Sequence, residues 1–63
     1  MKYSNKIVLE LINDNIHSER NRHILKRKLV DGISYKDLAS EVDMSERGLR
    51  YIVSSFKNEY GLK

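Results

Sequence analysis

A chain of 63 residues is long enough for one domain, 1–63, and too short for two, and at this size folding buries only about 60% of the unfolded chain's surface. The absence of cysteine excludes a disulfide framework and a cysteine-based zinc site; His17 and His23 stand six apart, which is no metal-ligand spacing, and read as solvated polar groups. Net charge is +3 with a pI near 9.3, which favours a polyanionic partner, while the apolar run IVLELI is short and interrupted by Glu10, so neither a targeting nor a membrane segment is read and a cytoplasmic location is expected.

No proline is present and no strict alternation lasts long enough for a strand, so the chain reads as helical throughout. Tyr3, Ile7, Val8, Leu11, Ile12 and Ile16 fall at helical spacing and predict a first helix over 4–15 with that face inward. Asn13, Asp14 and Asn15 read as its exit and a short loop, because their side chains compete with the helical backbone for hydrogen bonds. Ser18 then caps a second helix over 19–30, with Ile24, Leu25 and Leu29 inward and Arg20, Arg22, Lys26 and Arg27 together on the opposite side.

This second helix holds the charge excess. Residues 1–31 carry seven Lys or Arg against four Asp or Glu, whereas residues 32–63 carry five of each, and the surplus lies in ERNRHILKRK. Such a run serves as a solvated face, or as a phosphate or protein contact if a neighbouring element meets DNA.

Asp31-Gly32 closes the second helix, with Gly32 free to turn left-handed. Ser34 and Asp37 form an S-x-x-D capping pattern ahead of Leu38, Ala39 and Val42 in a short third helix that ends at Asp43. Ser45 caps the fourth, where Leu49, Ile52, Val53, Phe56 and Tyr60 make one apolar stripe as far as about Asn58, with Gly61 as a stop. The expected architecture is all-α, a small four-helix domain without a wing. Its unit over about 34–58 is a helix-turn-helix, two helices joined by a short turn of which the second is shaped for the major groove. Leu38, Val42, Met44, Leu49 and Ile52 supply its apolar contacts and Ala39 stands where the helices cross.

The segments DGISYKDLA and SERGLRYIV resemble the helix-turn-helix of region four of bacterial sigma factors and of the related sigma-like phage and mobile-element regulators, a similarity running from about Glu19 to Lys57. Asp43 departs from the pattern at a turn position where that family usually has glycine. The resemblance implies binding to double-stranded DNA and regulation of transcription; it does not imply a whole sigma factor.

On the helical wheel the outer face of the fourth helix carries Glu46, Arg47, Arg50, Tyr51, Ser54 and Lys57. Arg47 and Arg50 are the first candidates for base edges, because a guanidinium fork bonds guanine O6 and N7 together. Glu46 suits cytosine N4, or merely the helix dipole, and Tyr51 a thymine methyl or a phosphate. Ser45, Ser34, Tyr35 and Lys36 are candidates for phosphate contacts at helix starts, with Arg20, Arg22, Lys26 and Arg27 as further phosphate or protein contacts. Gly48 is read either as tolerated drift early in a helix or as a gap that lets the helix approach DNA closely.

The rival reading is a protein-interaction module that mimics sigma region four and binds RNA polymerase or another regulator, through the second-helix cluster and the apolar outliers Leu9 and Val30. A bundle without a ligand is the third. A homodimer is expected to use Leu9 and a tail of Phe56, Tyr60 and Leu62. No cluster of nucleophile, base and acid and no glycine-rich phosphate loop occurs, so neither an enzyme nor a cofactor or metal is expected.

Overall fold

Serine opens each of the four helices among the described residues. The structure, a computed structural model, describes residues 4–61 and contains α1 (Asn5–Asn15), α2 (Glu19–Leu29), α3 (Tyr35–Val42) and α4 (Glu46–Glu59), with no strand among the described residues. Ser4, Ser18, Ser34 and Ser45 each stand in extended backbone just ahead of a helix. Their Oγ atoms accept from the N–H groups of Ile7, Asn21, Asp37 and Gly48 at 3.3, 3.3, 3.1 and 3.2 Å. Each bond satisfies one amide that the helix cannot reach itself, worth about 1 kcal/mol against alanine.

The helix ends lie within a residue of expectation: α1 stops at Asn15, so Asn13, Asp14 and Asn15 are its last turn and the loop begins after them, with Asn15 Nδ2 donating to the Leu11 carbonyl at 2.9 Å. Docking of Ile12 and Ile16 holds this turn helical against the weak propensity of its side chains. At the end of α2, Gly32 takes φ +75° and the chain turns so that the Ile33 N–H donates to the Arg27 carbonyl at 3.2 Å.

Asp43 is left-handed, at φ 55° and ψ 49°, and does the work of the glycine usual in the resembling pattern. Its own N–H and that of Met44 both donate to the Ala39 carbonyl, so the turn between α3 and α4 is closed by backbone bonds despite the Cβ. This fixes α3 and α4 as two helices joined by a tight turn, the helix-turn-helix arrangement.

The core is one apolar cluster of Val8, Ile12, Ile24, Leu25, Leu38, Leu49, Val53 and Phe56, with no buried polar residue among the described ones. Helix α2 is its hub and packs against all three others, whereas α1 packs against α2 alone. That single contact covers a narrow strip of α1, so Val8 and Ile12 are buried but Ile7, expected inside, remains 43% exposed. Ala39, at the expected crossing, is half-buried against the core.

Of the dimer surface read from the sequence, Phe56 belongs to the core and Leu9 and Tyr60 are half-buried. Phe56 stacks obliquely on Tyr60, ring centroids 4.8 Å apart, and Tyr60 itself packs on the core. Val30, read as an outlier, also packs on the core. Tyr3 and Leu62 lie outside the described residues.

Candidate nucleic-acid interface

The outer face of α4 is built by the same periodicity that buries its inner one. With Leu49, Val53 and Phe56 inward, Glu46, Arg47, Arg50, Tyr51 and Ser54 are exposed and Lys57 is half-buried. Arg47 has no hydrogen-bond or ion-pair partner among the described residues. Arg50 lies 3.7 Å from Glu46, one turn earlier, with 62% of its side chain exposed. An exposed pair of this length contributes little to stability, so Glu46 and Arg50 remain available to an outside partner.

The start of α3 lies beside this face. Tyr35, the first residue of α3, is half-buried, and its ring lies under two cations: Lys28 Nζ at 4.3 Å from the centroid and Arg50 Cζ at 4.9 Å. Lys28 also donates to the Ile33 carbonyl at 3.0 Å, which ties it to the turn between α2 and α3. Tyr35 and Arg50, both sequence candidates, are thus brought together, and Lys28, part of the ERNRHILKRK run, joins them without having been a candidate in its own right. No local signal could have found it, because the contact joins three helices. Ser34 and Ser45 both use Oγ for capping, leaving Lys36 as the freely exposed cation at the start of α3.

The second-helix cluster does not share one side. Arg22 turns back to the loop before α2 and donates through Nε to the Ile16 carbonyl and through Nη2 to His17 O. Arg27 faces α3, donating to both carboxylate oxygens of Glu41 at 3.1 Å and to Asp31 at 3.0 Å. Only Arg20 and Lys26 of the four stay fully exposed without a partner among the described residues. The reason is helical geometry: at about 100° per residue Arg20 and Arg27 fall on one side of α2 and Arg22 and Lys26 on nearly the opposite one, so no single face carries all four.

Glu41 is the residue that sequence reasoning missed. Its carboxylate receives Arg27 and also His23 Nε2 at 2.8 Å, so His23, read as merely solvated, braces α2 against α3. The Arg27 bond, then the His23 bond, hold the Glu41 carboxyl below its ordinary value of 4.5; Glu41 and Asp31 raise Arg27 in turn.

Gly48 is the third residue of α4, and a Cβ built there would meet Met44 Cε and Ser45 Oγ at 3.4 Å, ordinary contact distances. Nothing inside the chain therefore forbids alanine. On the other flank of α4 an open cleft of about 250 Å³ lies between Leu25, Ile52 and Phe56, with Tyr51, 74% exposed, at its rim.

No group of three or more potential metal ligands occurs among the described residues, and no described helix is long and apolar enough to cross a membrane. Compared with family models, with curated proteins and with solved structures, the chain matches none.

Proposed function

We propose that the chain is a sigma region-four-like DNA-binding regulator of transcription, working in the cytoplasm, that lays α4 in the major groove of double-stranded DNA. The observation that carries this reading is the exposed pair Arg47 and Arg50 on the first two turns of a serine-capped helix, beside the exposed start of α3. Recognition helices direct their first turns at base edges, and the helix before them meets the backbone. Glu46, Tyr51, Ser54 and Lys57 extend the contact along α4; Ser34, Tyr35, Lys36 and Ser45 lie where backbone phosphates would pass. Two copies would serve two half-sites, about one helical turn of DNA apart.

The test is binding to random and selected duplexes across a salt series. Salt-dependent binding to a selected site, weakened by about 1 kcal/mol or more in Arg47→Ala and in Arg50→Ala, is the expected result. Binding no better than weak nonspecific association at low salt sinks the proposal. A second reading, a module that binds polymerase or another regulator, is favoured by the apolar cleft with Tyr51 at its rim; it predicts no salt-sensitive DNA binding.

A further inference from the structure

Three helices converge on one ring. Lys28 comes from α2, Tyr35 from α3 and Arg50 from α4, and both cations lie within 5 Å of the Tyr35 centroid, at 4.3 and 4.9 Å. The ring quadrupole attracts each cation, but the two repel one another, and the ring does not neutralise either. No carboxylate lies within ion-pair distance of Lys28 among the described residues, and Arg50 has only Glu46 at 3.7 Å. The arrangement is preorganised as well as charged. Lys28 is held by the Ile33 carbonyl at 3.0 Å, a bond that takes one of its three N–H donors and leaves two.

We infer that Lys28, Tyr35 and Arg50 form a seat for one backbone phosphate of duplex DNA, so that Arg50 anchors α4 while Arg47 reads the base edge. The inference rests on the DNA-binding reading above and divides the labour within it. A phosphodiester offers two non-bridging oxygens sharing one negative charge, which suits an ammonium and a guanidinium brought to the same ring. Arg47, three residues earlier and without an intramolecular partner among the described residues, keeps both edges of its fork for a base pair. Lys28 then gives α2 a contact with DNA that its more conspicuous arginines, Arg22 and Arg27, do not give, since both are occupied within the chain.

The experiment uses the full chain and a duplex carrying its selected site, in which backbone phosphates are replaced one at a time by uncharged methylphosphonates. One position is expected at which neutralisation weakens binding of the parent about tenfold, weakens Lys28→Gln and Arg50→Gln each by only about threefold because each has lost one of the two partners, and weakens the double variant by less than about twofold. Each single variant is expected to lower the slope of log K on log salt by about 1 and to leave the preferred sequence unchanged, whereas Arg47→Gln relaxes preference at one base pair. Lys28→Arg keeps the charge and is expected to keep the coupling, and melting temperatures identify any variant whose fold has changed. If Arg50→Gln instead alters base preference at one position, or no phosphate couples to both residues, the seat is wrong and DNA binding stands. If the parent binds no duplex, both readings fall.

Discussion

Helices α2 and α4 both advertise cations, and the fold uses them in opposite ways. In α2, Arg22 is taken up by the Ile16 and His17 carbonyls, Arg27 by Glu41 and Asp31, and Lys28 by Ile33 and the Tyr35 ring. In α4, Arg47 is exposed and without a partner among the described residues, and Arg50 has a long, exposed ion pair and the Tyr35 ring. The hub helix ties Arg22, Arg27 and Lys28 to its neighbours and leaves Arg20 and Lys26 exposed, whereas α4 keeps Arg47 and Arg50 together on one exposed flank. Counting basic residues along the sequence therefore overstates the charge that α2 has free, since Arg22 and Arg27 are occupied within the chain. What matters for a polyanion is the charge that remains after the chain has satisfied itself.

The comparison can be broken most forcefully at the core that the two helices share. Leu25→Ala in α2 and Leu49→Ala in α4 are each expected to lose about 2 to 5 kcal/mol of stability in denaturant unfolding, enough to unfold much of so small a chain. A loss confined to one of them would mean that the helices do not share a single core. Sharper is the exchange of surface cations. Arg22→Ala is expected to cost about 1 to 2 kcal/mol of stability, because it strips hydrogen bonds from two carbonyls. Arg47→Ala is expected to change stability by less than about 0.5 kcal/mol while weakening DNA binding. Equal loss of stability in the two would erase the distinction drawn here.

Asp43→Gly relieves a non-glycine residue at φ 55° and is expected to raise stability by up to about 1 kcal/mol, read as a higher melting temperature. Gly48→Ala tests α4 alone: it is expected to add a few tenths of a kcal/mol, since a Cβ meets only ordinary contacts. If the same variant binds DNA less well, close approach to the groove is what requires the glycine.

The smallest effect is a pH dependence in the contact of α2 with α3, where Arg27 and His23 meet Glu41. The folded Glu41 carboxyl titrates below the unfolded value of 4.5, chiefly through its bond from Arg27. Its contribution is present in full above about pH 4.5 and is lost as the pH falls through the lower, folded value. Melting curves between about pH 7 and pH 3 should show an acid limb that is shallower in Glu41→Gln.

The parts of the fold legible in the sequence are those determined locally. The caps at Ser18, Ser34 and Ser45 were readable because donor and acceptor lie three residues apart, whereas Ser4, read as the first residue of the helix, is its cap; the stripe of α4 was readable because its periodicity is unbroken. The exit of α1 at Asn15 was readable from the run of Asn and Asp side chains, while the packing of Ile12 and Ile16 keeps Asn13 to Asn15 within the helix. The brace on Glu41 was invisible, because Arg27 and His23 lie 14 and 18 residues away and no pattern couples them. In the candidate interface, the exposure of Arg47 and Arg50 followed from the wheel; the meeting of Lys28, Tyr35 and Arg50 did not, since it depends on how three helices are set against one another.

The four serines have a kinetic consequence. Each specifies where a helix begins by a bond closed within three residues, so nucleation, the slow step of helix growth, is assisted at four separate points before any helix meets another. The contacts that follow are mostly between successive helices, with α2 to α4 the one step that skips a neighbour. A chain organised in this way searches few long loops and belongs among the helical proteins that fold in microseconds to milliseconds.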